Sequence, residues 1–381
     1  MIKKIFLLLT LTASAVFAAV PGEIPGATAH KLNWIDCSPM FLGKADPEVH
    51  KDIPEIRAIV FLMTRAGDTP RIIAMLENIR QQYKGKVLIS IITPDNVSDA
   101  ETLRKRFPDM RLRLAVDMER KLTPEYMKDT IMLFPMAFLM DRSGMIRWRG
   151  EAVDLPEAVE KMVQNKLPLD VQKKITPMLY TMQQHMRDGN MYKAQSHAMQ
   201  ILAVDPGNPQ AVRMAVFAAE SRNRPTEAWN IVAAELKKAP DSPRLYFTAL
   251  DLVLRHHECR RFLGSLIAEF ARHPFPPAIR CAFADTLLNS FPFEVDAVLG
   301  AKNILAGTPM PINARPEQLA MLLAVRARLN YALGDLKAAE ADMSEALQYL
   351  NVSGSRTQIM QAEKQLNFYR ALLKHLEQEK R

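Results

Sequence analysis

Cys37, Cys259 and Cys281 are the only thiols among 381 residues, and no CxxC pair occurs. Thiol redox chemistry needs a stabilised thiolate and a second thiol to resolve the mixed disulfide. Three scattered cysteines exclude a disulfide framework. Cys259 and Cys281 lie on helical patterns, where a bridge in an oxidising compartment and a small buried apolar role are both open. The cluster His256-His257-Glu258-Cys259 has metal-ligand types, but adjacent helical residues point in different directions and no second cluster complements it. No metal site and no cofactor are therefore expected. The 22 methionines, Met136, Met140 and Met145 among them, read as flexible core filling. There is no HExxH, phosphate-cradling glycine loop or nucleophile elbow, and the carboxylates form no local pair.

Two kinds of element must position these residues. Ala58-Ile59-Val60-Phe61-Leu62-Met63 reads as a buried strand, followed by the turn Thr64-Arg65-Ala66-Gly67-Asp68-Thr69-Pro70 and a helix with Ile72, Ile73, Leu76 and Ile79 at helical spacing. Residues 86–93 form a second strand, and residues 98–107 a helix capped by Ser98 with Glu101 three residues on. Residues 111–117 alternate as a third strand. Residues 137–140 and 146–149 make a hairpin around Asp141-Arg142-Ser143-Gly144, and an amphipathic helix follows from Leu155.

That succession resembles the thioredoxin-like fold over residues 50 to 165, especially the exported thiol-disulfide oxidoreductases related to TlpA and their peroxiredoxin relatives. Phe134-Pro135 followed by Met136-Ala137-Phe138-Leu139-Met140-Asp141-Arg142-Ser143-Gly144-Met145-Ile146 is similar to the family's stretch in which a proline precedes a strand ending in Asp-x-x-Gly. The resemblance implies that Pro135 is the family's cis-proline and that backbone at Phe134 faces a bound extended chain. It also puts the family's CxxC at Ala66-Gly67-Asp68-Thr69, where neither Ala66 nor Thr69 can act as a thiol. A peroxiredoxin-type cysteine would lie in the same turn and is missing. Cys37 precedes the first strand, without a neighbouring partner.

From Pro168 onward the pattern is helical, with a period of 34: Pro206, Pro240 and Pro274 keep that spacing, as do Ala194 and Ala228. Gly189-Asn190-Met191-Tyr192-Lys193-Ala194 with Ala198, Ile201 and Pro206 resembles a tetratricopeptide (TPR) repeat. The next copy has Asn223 in place of the turn glycine. A third copy carries Phe262 where a small residue belongs, and Tyr331-Ala332-Leu333-Gly334-Asp335 opens a clear later copy. About five repeats are expected, sealed by a helix over residues 358–379. On the inner face such an array would present Arg213, Phe217, Arg244, Phe247 and Arg328, guanidinium and aromatic groups suited to acidic or apolar peptide segments.

The organisation expected is a signal peptide (1–18), an extension (19–49), a thioredoxin-like α/β domain (50–166), an all-α TPR-like solenoid (167–355) and a capping helix (356–381). Lys3 and Lys4, the apolar run Ile5 to Leu11 and Val16-Phe17-Ala18 fit an export signal too short to span a bilayer. Without Lys3 and Lys4 the basic count falls from 50 to 48 against 42 acidic residues. Arg104-Lys105-Arg106, Arg111 and Arg113 lack interleaved aromatics, so no nucleic-acid partner is expected. No later run is long enough for a membrane helix. The expectation is an exported, periplasmic or secreted, non-enzymatic scaffold that binds proteins or peptides. The alternatives are a thioredoxin-like or peroxiredoxin-like enzyme using Cys37 or a partner's thiols, and a spacer within a larger assembly.

Overall fold

The computed structural model describes residues 21–22, 33–35, 55–118, 122–127, 135–308, 314–354 and 356–379. The expected signal peptide, Cys37 and Phe134 lie outside these residues. The chain divides into two compact units, Met1–Asp205 and Pro206–Arg381.

The first unit is built on a six-stranded sheet among the described residues: β1 (Asn33–Ile35), β2 (Ile56–Phe61), β3 (Val87–Thr93), β4 (Arg113–Val116), β5 (Met136–Asp141) and β6 (Ile146–Glu151), in the order β1-β4-β3-β2-β5-β6. β2, β3 and β4 are parallel, while β5 and β6 run antiparallel. Helices α1 (Thr69–Gln82) and α2 (Val97–Arg106) make the two parallel crossovers; α3 (Leu122–Met127) lies between β4 and β5, and α4 (Leu155–Val163) follows β6. This is the thioredoxin-like fold.

Period-two alternation assigns the two sheet faces. Ala58 and Val60 of β2, with Leu62 just after it, pack with Ile72, Ile73, Leu76 and Ile79 of α1, Ala100 and Leu103 of α2 and Val159 of α4. Ile59 and Phe61 point the other way, into a cluster with Tyr126 of α3 and Phe138 of β5. Burial on both faces explains why the sequence from Ala58 onward reads as an apolar run, with only Arg57 interrupting the strand's apolar character. Two local expectations change. The N-cap of α2 is Asn96, whose side chain accepts from the Asp99 amide at 2.9 Å, which places Ser98 inside the helix. Six-residue α3 is too short to show a helical period.

Helices α5 (Leu169–Arg187) and α6 (Met191–Val204) pack as a pair. From α5 onward the described residues are helical. The compact units nevertheless divide after α6, because α5 packs against β6 and joins the first unit.

The second unit contains α7 (Pro209–Glu220), α8 (Pro225–Lys238), α9 (Pro243–Arg255), α10 (Leu263–Arg272), α11 (Pro277–Ser290), α12 (Val295–Ala306), α13 (Pro316–Ala332), α14 (Leu336–Ser353) and α15 (Arg356–Glu379). Prolines start five of them, at the first helical position, where no amide hydrogen is needed. Contacts run between successive helices and between alternate ones, as in a solenoid whose elements touch only their neighbours.

The repeat landmarks have physical counterparts. Gly189, Asn223 and Gly334 all take positive φ at helix ends (71°, 58° and 84°). Ala194 and Ala228 are fully buried. Phe262, at the same phase, ends a 3-10 segment (His257–Phe262) and stacks on Trp229 with centroids 4.5 Å apart and planes at 3°. In the last pair, Arg326 forks onto the Asp342 carboxylate, which also accepts from Asn330 at 2.8 Å.

Candidate functional site

In a thioredoxin-like unit, chemistry belongs at the end of the sheet where β2 hands over to α1. Register places Phe61 opposite Met136, so the turn after β2 and Pro135 before β5 share that end. Ala66 is half-buried, Gly67 and Asp68 are exposed, and Thr69 is buried. The turn is tied by oxygen chemistry. Thr69 Oγ1 donates to the Met63 carbonyl at 2.7 Å. Asp95 Oδ2, just beyond β3, accepts from the Thr64 amide at 2.6 Å and from Thr64 Oγ1 at 2.7 Å. Arg65 pairs with Asp99 at 2.5 Å.

Two carboxylates near this end of the sheet already accept hydrogen bonds from the backbone. Asp95 holds Thr64, and buried Asp117, just beyond β4, accepts the Leu122 and Thr123 amides at 3.4 and 2.7 Å, capping α3. The Pro135 carbonyl accepts from the Ala152 amide at 3.0 Å. The Thr64–Asp95 tie has no signature in the sequence, since 31 residues separate its partners. Among the described residues this end of the sheet offers no thiol.

The two described cysteines, Cys259 and Cys281, are buried and free. Burial pushes the Cys281 thiol up to about 11, with Asp285 adding to the shift, and burial likewise raises Cys259, with Glu258 adding to it. Both remain protonated at neutral pH, and Cys259 is directed at the Pro225 carbonyl 3.6 Å away. The neighbouring His256 lies 2.5 Å from Glu220, which Arg255 meets at 2.6 Å. That cluster fastens α9 to the end of α7. No group of three or more His, Cys, Asp or Glu suited to a metal occurs among the described residues.

The candidate residues of the array fall on alternate helices: Arg213 and Phe217 on α7, Arg244 and Phe247 on α9, Arg328 on α13. Phe217 is 49% exposed. Phe247 meets Phe283 of α11 edge-on at 5.6 Å, and Arg328 pairs with Asp285 of α11 at 2.6 Å. α9, α11 and α13 thus form one row, in which sequence reasoning had not identified Phe283 or Asp285. Beyond Arg328 the row opens into a groove of about 670 Å³ between α13 and α15. Met321, Ala324 and Phe368 give it apolar walls, Gln361 and Gln365 supply amides, and Glu317 and Arg328 add opposite charges. Phe368 is 44% exposed and is braced by Tyr331 at 5.6 Å. Such a surface can hold a peptide by apolar contact while amides read its backbone.

No protein-family model and no curated protein matches the chain. Among solved structures, StoA from Bacillus subtilis is 16% identical, covering 28% of this chain and 82% of its own, with a TM-score of 0.24. An uncharacterized thioredoxin-like protein from Porphyromonas gingivalis is 16% identical over 38% of this chain and 93% of its own, with a TM-score of 0.29. A thioredoxin-like protein in the oxidized form is 15% identical over 39% and 97%, with a TM-score of 0.30. The fold assignment rests on strand order and crossovers.

Proposed function

We propose that this protein is an exported, non-enzymatic adaptor, in which a redox-inactive thioredoxin-like domain accompanies a TPR array that binds segments of partner proteins. The observation that carries this reading is the groove between α13 and α15, with exposed Phe368 and amide-bearing Gln361 and Gln365 beside Arg328. A binding surface of this kind needs aromatic or guanidinium anchors in a partly desolvated setting, and Phe368 and Arg328 supply them. Oxygen-based ties at the turn from Thr64 to Thr69 support the absence of thiol turnover. Pairing of an extended chain beside Pro135 is a second, cysteine-free mode of contact. Export follows from the character of residues 1–18; among the described residues no helix is long and apolar enough to cross a membrane.

Photo-cross-linking from Gln361, compared with exposed Gln348 on α14, tests the groove in cells that make the full chain. Discrete adducts at Gln361 that disappear with Phe368→Ala are expected. Identical adducts from both positions, or adducts indifferent to Phe368→Ala, would count against the groove.

A further inference from the structure

Both parallel crossovers of the first unit return to the sheet at one end. The connection from α1 to β3 and the connection from α2 to β4 lie side by side there, because β3 and β4 are neighbouring parallel strands. Each contains a tight turn closed by a backbone hydrogen bond: the Lys86 amide donates to the Tyr83 carbonyl at 2.9 Å, and the Met110 amide to the Phe107 carbonyl at 3.1 Å. Gly85 supplies the positive φ, 79°, of the first turn. Each turn opens on an aromatic, Tyr83 or Phe107, that packs against the core. The second turn is also tied to both helices. The Glu77 carboxylate of α1 accepts from the Arg111 amide and from the Leu112 amide at 3.1 Å, and Arg104 of α2 donates to the Met110 carbonyl.

The side chains that these turns present are cations. Lys84 and Lys86 flank Gly85, while Lys105, Arg106 and Arg111 flank the second turn, and all five are exposed. Arg80, nearby on α1, is neutralised by Glu77 at 2.7 Å. The five have no such carboxylate partner among the described residues. They face two exposed carboxylates at the same end, Glu55 and Asp109, so the surface stays positive. Cations in the last turn of a helix, such as Lys105 and Arg106, answer the helix dipole. Lys84, Lys86 and Arg111 stand outside both helices, and that explanation does not reach them.

We infer that this end of the sheet is a peripheral docking surface for an anionic phospholipid bilayer. The charge is spread over two neighbouring turn tips, which suits a plane of repeated phosphates better than a single carboxylate. Basic residues close to such a plane each add an attraction that salt screens. Arg106 lies over the Phe107 ring, 5.6 Å from its centre, so its guanidinium is directed by a side chain anchored in the core. Docking at this end turns the opposite end of the sheet, with the turn after β2 and Pro135, away from the bilayer.

Co-sedimentation of the chain lacking residues 1–18 with lipid vesicles is the test. Retention is expected on mixed phosphatidylglycerol–phosphatidylcholine vesicles and not on phosphatidylcholine alone, with release at about 0.5 M salt. Lys84→Glu with Lys86→Glu, and Lys105→Glu with Arg106→Glu, are each expected to weaken retention about tenfold or more. The charge-matched control Lys302→Glu with Lys337→Glu, at two exposed lysines of the second unit, is expected to leave it unchanged. Equal retention on both vesicle types, retention that survives both pairs, or a control as weak as they are overturns the inference. So does an absence of vesicle binding, which, if accompanied by capture on immobilised polyglutamate, would assign the two turns to an acidic protein.

Discussion

The Thr69 hydroxyl donates to the Met63 carbonyl at 2.7 Å, closing the β2–α1 turn. Ala66, three residues earlier in the same turn, contributes only a methyl group. A thiolate there would be stabilised by the helix N-terminus. In this chain the same turn is held instead by Thr69 to Met63 and by Thr64 to Asp95. Both ties are made by side-chain oxygens.

Those bonds have measurable weight. Thr69→Val keeps the shape and removes one buried hydrogen bond, and is expected to lower unfolding free energy by about 1 kcal/mol. Asp95→Ala removes both Thr64 bonds, one of them to a backbone amide, and is expected to cost about 2–3 kcal/mol. Denaturant titration checks both values; an unchanged midpoint for Asp95→Ala would show that the turn does not depend on this tie.

Arg280 does comparable work in the second unit. Its guanidinium donates to the Ile304 carbonyl at 2.9 Å, Thr308 Oγ1 at 3.0 Å and the His273 carbonyl at 3.1 Å, joining α11 to the end of α12. Arg280→Met leaves these acceptors to find other donors, and a loss of about 2–4 kcal/mol is expected by denaturant unfolding. Gly307→Ala is expected to destabilise as well, because its Cβ would stand 2.7 Å from the same guanidinium.

Alkaline pH acts through the buried thiol. Cys281 has its proton held more tightly in the folded state, up to about 11. The unfolded chain therefore loses this proton first as pH rises. The associated stability is fully present below the ordinary thiol value of about 8.5 and is lost as pH climbs to about 11. Cys281→Val is expected to flatten the fall in unfolding free energy over that window, read from denaturation midpoints at stepped pH. A slope identical to that of the unsubstituted chain would contradict the assignment of the shift to Cys281.

How much was legible in the sequence followed from the range of each interaction. β2 and α1 were readable because burial on both faces leaves the apolar run Ala58-Ile59-Val60-Phe61, and Ile72, Ile73, Leu76 and Ile79 keep a helical period. The recurrence of Ala194 and Ala228, each fully buried, was readable because close helix approach demands a small residue at one phase. Asn96 was missed as a cap because Ser98 and Glu101 also fit a capping pattern, and only backbone geometry chooses between them. Thr64–Asp95 and Arg328–Asp285 join residues brought close by topology alone. No local period announces such pairs.

Insulin-disulfide reduction and peroxide consumption by the chain lacking residues 1–18, run beside Cys37→Ser and the doubly substituted Ala66→Cys, Thr69→Cys variant, separate the fold from its chemistry most directly. The unsubstituted chain is expected to be inert in both assays, and the double variant to gain disulfide turnover from a thiolate at the start of α1. Turnover by the unsubstituted chain that Cys37→Ser abolishes would contradict the account and make this protein a thiol enzyme.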